Sequence, residues 1–360
     1  MNILFLVDPL HDYDSDPLYF GLVRLLGQEH VVDFPSKAIF HDPSAKVWAL
    51  PQVPAATRSE EEVRSLLAGG FFDLVCVASP RPECLAVLSR LFNRVRFPPI
   101  VFIDSSDDSE IRHDVVERYP IQMYFRYAWR VEWQRHYYWA LAKAFRWNRK
   151  LFERTVPLMF SIVMDALPHL DVIPKEIDIS YRGRCSHPRR ARTVEVLSHL
   201  RGIRFSGGVY ASPGDRKYKL KAGRLKRLWT KIVDDAPAAE TDQLKKKIPE
   251  EYYREIAASR IAVCIRGGGW STLRYLEIPA MGTMMISERP GIIIPNDFVD
   301  RQHAVFCRPD LSDLEQLVRY YLREDAEREA IASEGRAHLL KYHTCERQAE
   351  YFLNVCRSRV

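Results

Sequence analysis

The hydrophobic pattern of the first half of the chain alternates between short apolar runs and helical stripes. Residues 2–7 form the first run, which is apolar on both faces, as in a central parallel strand buried between helix layers. Further strands are predicted at residues 31–34, 72–78 and 100–104, and helices at 17–26, 60–69 and 82–92. The expected N-terminal caps are Asp16 and Ser59. This alternation predicts a doubly wound parallel sheet.

The same alternation restarts after residues 155–174, a proline-bearing stretch that we interpret as a linker. Strands are predicted at residues 177–181, 203–206, 261–265 and 283–287, and helices at 188–200, at 272–281 and after a capping box formed by Ser312 and Glu315. The pattern therefore predicts an α/β protein with two Rossmann-like doubly wound domains facing a cleft, where such folds bind ligands beyond the carboxyl ends of their strands.

Composition narrows the class of protein. The 360 residues are 47% hydrophobic and 28% charged, values typical of a chain that folds into two globular domains. A net charge of +6 suits anionic ligands but is small for a dedicated nucleic-acid binder. The seven cysteines form no CxxC pair and no zinc-type spacing, so we expect reduced thiols in a cytoplasmic protein. We also expect no targeting leader and no transmembrane segment.

The glycine-rich loop after the predicted strand 261–265 is the strongest candidate site. Three consecutive glycines, at 267–269, let the backbone approach a ligand, and the following helix offers free amides to a phosphate. Arg274 and Glu277 lie three residues apart on one helical face, a cation for phosphate oxygens and a carboxylate for ribose hydroxyls. The alternative is a glycine turn beside a surface ion pair within the helix. Neither a P-loop nor a GxGxxG motif occurs.

Candidate catalytic groups follow strands of the first domain. His11 and Asp12 come after the first strand, and Asp104 ends the strand 100–104. Histidine has the pKa best suited to a general base near neutrality, so we favour His11, oriented by a nearby carboxylate. The alternative is a surface histidine in an acidic loop. A DxD spacing begins at Asp12, but we predict no metal site there.

Arginines at the end of the strand 177–181 and two basic segments complete the candidates. Arg182 and Arg184 are expected to help stabilise a leaving diphosphate, unless they are merely solvated. Residues 123–152 interleave aromatic and basic side chains, and residues 216–231 form a basic amphipathic pattern. We interpret both segments as ordinary packed or solvated helices. The alternative is that they bind nucleic acid.

Residues 252–352 carry an ordered set of short motifs. The set comprises the helix and strand pattern at 252–263, Arg274-Tyr275-Leu276-Glu277 with Ala280-Met281-Gly282, Tyr320-Tyr321-Leu322, Gly335-Arg336, and His343-Thr344 before Arg347. In these motifs the chain resembles GT-B glycosyltransferases of the family 1 type, in particular the CgeB-like branch. The first half matches more loosely, through Tyr19-Phe20-Gly21-Leu22 and Asp178-Ile179-Ser180-Tyr181.

The resemblance implies a domain organisation and a donor site. Residues 1–165 would form an acceptor-side domain and 175–342 a nucleotide-sugar-binding domain, with a last helix at 343–360 crossing back to the first domain. Glu277 would bind the donor ribose, and the donor diphosphate would lie near Arg266, Gly268, Gly269, Ser271 and Thr272. Many retaining members carry a glutamate at the position of Gly269, so the stereochemistry stays open.

These observations predict a metal-independent glycosyltransferase without a cofactor. Its donor would be a nucleotide-diphosphate sugar, and its acceptor an unidentified hydroxyl on a glycan, a protein, a small molecule or modified DNA. Two alternatives stay open: a nucleic-acid-binding protein, including a sugar transferase that modifies DNA, and a nucleotide-sugar epimerase of the same fold.

Overall fold

The computed structural model divides the chain into two compact units. It describes residues 1–45, 50, 52–54, 57–92, 97–106, 111–129, 154–169, 173–210, 249–270 and 272–359. The first unit comprises residues 1–169, 291–297 and 339–360, and the second comprises residues 170–290 and 298–338.

Each unit is built on one parallel sheet. The first sheet has the strand order β2-β1-β3-β4-β5-β6, and the second has the order β11-β10-β9-β7-β8. Every pair of neighbouring strands is parallel. The strands are β1 (Ile3–Leu6), β2 (Val31–Phe34), β3 (Leu74–Val77), β4 (Ile100–Asp104), β5 (Ile121–Arg126), β6 (Thr155–Pro157), β7 (Ile177–Arg184), β8 (Phe205–Tyr210), β9 (Ser259–Cys264), β10 (Met284–Glu288) and β11 (Val305–Cys307). The predicted α/β fold with two Rossmann-like sheets is confirmed.

Helices connect most of the strands that follow one another within a sheet, as is usual for parallel pairing, whereas β10 and β11 are joined by residues 289–304 without a helix. The described helices are α1 (Ser15–Leu26), α2 (Ala38–His41), α3 (Glu60–Ala68), α4 (Pro82–Phe92), α5 (His113–Arg118), α6 (Pro188–Ser198), α7 (Pro249–Ala257), α8 (Arg274–Ala280), α9 (Leu314–Tyr321), α10 (Asp325–Tyr342) and α11 (Cys345–Arg359), with short 3₁₀ turns at Gln28–His30, Pro43–Ala45 and Met164–Ala166. In the part of the chain that the structure describes, no helix is long and apolar enough to cross a membrane.

Two of the predicted helix caps are wrong. The α3 capping box is confirmed, since Ser59 and Glu62 exchange both hydrogen bonds. Asp16, in contrast, lies inside α1, where its carboxylate accepts the Asp12 N–H at 2.9 Å rather than capping the helix. The expected box at Ser312 is also absent, because α9 begins after Asp313 and no side chain caps it.

The structure also corrects the interpretation of two longer segments. The helix expected from residue 123 onward is instead strand β5 over its first residues, and its segment 130–150 lies outside the described residues. The expected linker at 155–174 includes β6, which pairs with β5 as the edge of the first sheet. The basic segment 216–231 is likewise outside the described residues.

Helices α1 and α11 pack closely within the first unit. The contact depends on Gly21, because a Cβ atom built there would overlap the carbonyl oxygen of Cys345. The same atom would lie 3.0 Å from the Ala349 Cβ. The α1 sequence therefore lets two helix backbones approach each other.

We expect Gly21→Ala to destabilise the first unit. The two helices must separate to admit the methyl group, and overpacking of this kind costs about 1–3 kcal/mol of the free energy of unfolding. Denaturant unfolding measures the loss. The control is Asn354→Ala on the exposed face of α11, which should change stability by less than about 0.5 kcal/mol. Equal stability of the two variants would contradict the close packing.

Candidate functional site

Cationic side chains gather at the carboxyl ends of β7 and β9 in the second unit. Helix α6 begins directly after β7, and the His187 Nδ1 accepts the Arg189 N–H at 3.2 Å as its cap. Burial, together with the charges of Arg266, Arg189 and Arg190, lowers the pKa of His187 to about 4, so this imidazole is neutral. The arginines therefore supply the positive charge at this edge of the sheet.

Arg190 joins the ends of the two strands. Its guanidinium donates from Nη1 to the Arg184 carbonyl at 2.9 Å and from Nε to the Arg266 carbonyl at 3.0 Å. The side chain is buried, which is typical of an arginine whose donors are matched by carbonyl oxygens. Arg190 thereby fixes the two loops from which a ligand site would be built.

Three hydrogen-bond donors surround the space beside Gly183, near the end of β7. A Cβ atom built on Gly183 would lie 3.2 Å from the Tyr181 hydroxyl, 3.4 Å from Arg274 Nη2 and 3.6 Å from Arg190 Nη1. We call this arrangement the Gly183 cradle. Burial raises the pKa of Tyr181 to about 12, so its hydroxyl stays protonated and can donate. Within the described residues, neither that hydroxyl nor Arg274 Nε and Nη1 has a hydrogen-bond partner.

Unsatisfied buried donors are unusual in native proteins, because each costs about 1–3 kcal/mol of desolvation. The donors of the Gly183 cradle carry positive charge or an O–H group, so an anionic oxygen is the partner that matches them.

Glu277 is buried in α8 rather than solvated. Its Oε2 accepts the Tyr252 hydroxyl at 2.8 Å, and its Oε1 accepts the Tyr253 hydroxyl at 2.9 Å. Burial raises the pKa of the Glu277 carboxyl, although the Tyr252 hydrogen bond and the charge of Arg274 oppose this change. The alternative interpretation of a surface ion pair is therefore wrong. Each carboxylate oxygen retains a lone pair for a further donor.

The glycine loop lies beside the same cations. Gly267 is buried against Arg190, whereas Gly268 is exposed, with open space around its Cβ position. The Arg266 N–H donates to Glu288 at 2.7 Å, and its guanidinium carbon lies 4.0 Å from the Trp270 ring centroid. Of the other predicted donor-site residues, Gly269 is buried, the Thr272 carbonyl accepts the Tyr275 N–H, and Ser271 lies outside the described residues.

The two arginines predicted just beyond the strand lie within it, because β7 extends to Arg184. Arg182 makes a bidentate ion pair with Glu255, with N–O distances of 2.8 and 3.0 Å. Its charge is therefore already compensated. Arg184 contributes its backbone carbonyl to the Arg190 contact described above.

His11 lies beside a buried carboxylate in the first unit. Its Nδ1 is 2.8 Å from Asp16 Oδ2, and the Asp16 Oδ1 is 2.6 Å from the Lys37 ammonium. Because a carboxylate only accepts hydrogen bonds, Nδ1 carries a hydrogen toward Asp16, and Nε2 is the ring nitrogen directed away from that carboxylate. Nε2 itself is covered by protein, so a substrate reaches it only when the covering atoms move.

The other two predicted catalytic carboxylates already bind neighbouring residues of the protein. Asp12 accepts the N–H groups of Asp14 and Ser15 at 3.0 and 3.3 Å, which places it at the start of α1. Asp104 is fully buried and binds Arg126 and Tyr124 as well as the Ser106 hydroxyl. A carboxylate paired with a buried guanidinium is poorly placed to accept a proton, so this geometry favours His11 over Asp104 as the base.

Sequence reasoning missed most of the Gly183 cradle. Tyr181 and Gly183 resemble ordinary strand residues, and Arg190 resembles any arginine in a helix. A glycine inside a strand often marks a close approach of another group, but the predicted strand 177–181 ended before Gly183. The two tyrosines that hold Glu277 appear in the sequence only as a Tyr-Tyr pair in an amphipathic helix. No group of three or more potential metal ligands occurs among the residues that the structure describes.

Comparisons with known proteins agree with this architecture. Residues 190–354 match the family model described as "Glycosyl transferase-like". A search of curated protein sequences found no match.

Several solved structures resemble the whole chain. HepE from Anabaena, in complex with UDP and glucose, has a TM-score of 0.59 and 12% identity over 99% of this chain and 100% of that chain. A glycosyltransferase from Rickettsia africae has a TM-score of 0.63 and 11% identity over 99% and 98% of the two chains. Sucrose-phosphate synthase from Thermosynechococcus elongatus has a TM-score of 0.56 and 14% identity over 99% of both chains. At these identities the likeness shows the fold, which is the GT-B fold.

The chain therefore has the GT-B fold, and residues 190–354 of it match a glycosyl transferase-like family model. The CgeB-like branch stays a prediction. Neither a nucleic-acid-binding protein nor an epimerase is favoured by these comparisons.

Proposed function

We propose that the protein transfers a sugar from a nucleotide-diphosphate sugar to a hydroxyl acceptor, and that the Gly183 cradle binds the donor diphosphate. The observation that carries this proposal is the convergence of the Tyr181 hydroxyl, Arg274 and Arg190 on one space. Among the described residues, the Tyr181 hydroxyl and the Nε and Nη1 of Arg274 have no hydrogen-bond partner. A diphosphate supplies the anionic oxygens that such donors require.

The chemistry requires a stabilised leaving group. As the bond between the sugar and the diphosphate breaks, negative charge develops on the phosphate oxygens. Two guanidinium groups and a tyrosine hydroxyl, already fixed in place, would stabilise that charge without the reorganisation that water requires. We therefore propose that transfer proceeds without a bound metal ion.

The ribose of the donor is assigned to Glu277. The carboxylate lies in the same short helix as Arg274, and Tyr252 and Tyr253 fix its orientation. Two ribose hydroxyls match the remaining acceptor capacity of its two oxygens. UDP-sugars are the first donors to test, because HepE structures of the same fold contain UDP or UDP-glucose.

The acceptor hydroxyl is assigned to His11. With Nδ1–H directed at Asp16, Nε2 would take the proton as the hydroxyl attacks, once the atoms that cover it move. The resulting imidazolium would be stabilised by the Asp16 carboxylate.

A donor panel tests the proposed activity. The protein is incubated with nucleotide sugars of different bases, with and without EDTA, and the release of nucleoside diphosphate and the fate of the sugar are measured. We expect release from at least one donor, unchanged by EDTA, with the sugar recovered on water or an added acceptor. A sugar returned as its epimer on the intact donor would instead indicate an epimerase. Failure of every donor to bind at millimolar concentration would overturn the proposal.

We expect Gly183→Ala to weaken nucleoside diphosphate binding without unfolding the protein. The new methyl group would occupy the cradle, yet its nearest neighbours at 3.2–3.6 Å are the ends of side chains that can shift. Loss of one charge-assisted hydrogen bond, about 1.5 kcal/mol, corresponds to roughly tenfold weaker binding. Calorimetric titration with UDP or whichever nucleotide binds measures the change.

The matched control for this prediction is Gly268→Ala in the glycine loop. A Cβ atom at Gly268 meets nothing within 4 Å, so the variant adds a methyl group to the same region without filling the cradle. If Gly268→Ala weakened binding and Gly183→Ala did not, the diphosphate would belong at the glycine loop and not at the cradle.

A further inference from the structure

Lys37 places a buried ammonium group on the far side of the carboxylate that contacts His11. The Lys37 and Asp16 side chains are both completely buried, and their Nζ and Oδ1 atoms lie 2.6 Å apart. The backbone N–H of Lys37 donates to Asp33 Oδ2 at 2.8 Å, which ties the residue to β2. Its Nζ also lies 5.3 Å from the centre of the Phe40 ring. The ammonium is thus fixed by contacts from several directions.

We propose that Lys37 is a positioning residue for the reaction: by pairing with Asp16 it keeps His11 neutral and oriented with Nδ1–H toward the carboxylate. This inference rests on the proposed role of His11 as the base. Lys37 touches neither donor nor acceptor in this proposal, and it acts only through Asp16.

The charge balance gives the physical reason. Asp16 bears one negative charge and is paired by two groups, Lys37 on Oδ1 and His11 on Oδ2. With the ammonium present, the carboxylate is already neutralised, and a neutral imidazole satisfies the second oxygen by donating Nδ1–H. Without the Lys37 ammonium, the buried Asp16 carboxylate would attract a positive charge from elsewhere. The His11 imidazole provides that charge by taking a proton. A protonated imidazole has no lone pair with which to act as a base.

The surrounding charged groups are paired among themselves. Among the described residues, Lys37 is the only lysine or arginine, and His11 the only histidine, with a side-chain nitrogen within 4.0 Å of the Asp16 carboxylate. The other titratable groups nearby are Asp8 and Asp12, both facing Arg81, the Asp33–His41 pair, Tyr127, which donates to the Asp14 carbonyl, and Tyr13, whose ring centroid lies 4.4 Å from that of His11. None of these groups replaces the Lys37 ammonium at the Asp16 carboxylate.

The test variant is Lys37→Met, which keeps an unbranched side chain only one heavy atom shorter and removes its charge. We expect the acidic limb of the pH–rate profile for sugar transfer or donor hydrolysis to move to higher pH by about one unit. At a pH on that limb the rate should therefore fall about tenfold, while at alkaline pH it approaches that of the wild type. Far-ultraviolet circular dichroism and the binding of nucleoside diphosphate confirm that the variant is folded.

The double variant Asp16→Asn with Lys37→Met distinguishes this role from a purely structural one. With both charges removed, the Asp16 carboxylate no longer draws a proton onto His11, so we expect the acidic limb to return toward its wild-type position. A general loss of rate in Lys37→Met, with the limb unmoved and no recovery in the double variant, would overturn the proposal.

NMR of the histidine side chains provides a readout that does not depend on transfer. The His11 signal is assigned by its loss in His11→Asn. We expect wild-type His11 at neutral pH to be the Nδ1–H tautomer, and His11 of Lys37→Met to stay doubly protonated to higher pH. An Nε2–H tautomer in the wild type, or the same titration in both proteins, would overturn the role of Lys37. If the signals shift as expected but His11→Asn retains full transfer rate, the assignment of His11 as the base fails instead, and with it the place of Lys37 in the reaction.

Discussion

Replacing Arg274 by methionine is expected to weaken nucleoside diphosphate binding on the order of a hundredfold. The guanidinium presents Nη2 to the Gly183 cradle, and its Nε and Nη1 have no partner among the described residues. Loss of two charge-assisted hydrogen bonds at about 1.5 kcal/mol each gives a factor of this size. Calorimetric titration of the variant and the wild type with the same nucleotide measures it.

Arg274→Met should also lower stability, but by less than it weakens nucleotide binding. The charge of Arg274 opposes the rise that burial causes in the pKa of Glu277, so its removal favours the protonated form of that buried carboxyl. Protonation avoids an uncompensated charge, and we therefore expect a modest fall in melting temperature rather than unfolding. The control is Arg319→Met, which removes an exposed arginine paired with Glu315 on α9 of the same unit. If both variants bound nucleotide equally well, Arg274 would not belong to the donor site.

The local sequence pattern was sufficient to predict many strands and helices of the fold. The bounds of β4 and α4 agree with the predicted segments 100–104 and 82–92, because each combines an uninterrupted apolar pattern with a clear start. Strand β5 was missed because Arg126 interrupts its aromatic run. That arginine is fully buried against Asp104, which lies opposite it on β4. A pairing between residues more than twenty positions apart leaves no local signal, so the segment resembled a basic aromatic helix.

The candidate sites show the same limit. Arg274 and Glu277 were found from their spacing after the glycine loop, whereas Tyr181 and Arg190 enter the cradle only because β7 lies beside β9 in the sheet. The carboxylate expected to orient His11 is Asp16, a residue that the sequence suggested as a helix cap. Capping rules describe residues that are close together in sequence. Lys37, whose ammonium group pairs with the buried Asp16, follows it by twenty-one positions, so these rules do not predict the pair.

His11→Asn is expected to lower the rate of sugar transfer while leaving donor binding unchanged. The loss of a general base typically costs a factor of about 10²–10⁴ in rate, and the donor residues lie in the other unit. Donor hydrolysis, with water as the acceptor, allows kcat to be measured before the natural acceptor is known, and titration with nucleoside diphosphate checks binding. Asparagine retains an N–H donor for Asp16, so the buried Asp16–Lys37 pair should persist and the protein should stay folded.

The matched control is His30→Asn, which changes a partly exposed histidine of the same unit that contacts the side chain of Asn2. We expect this variant to hydrolyse donor at the wild-type rate. Equal rates for His11→Asn and the wild type would show that the acceptor hydroxyl loses its proton elsewhere. The candidate bases would then be carboxylates of the first unit, although both Asp12 and Asp104 would have to give up the hydrogen bonds that now occupy them.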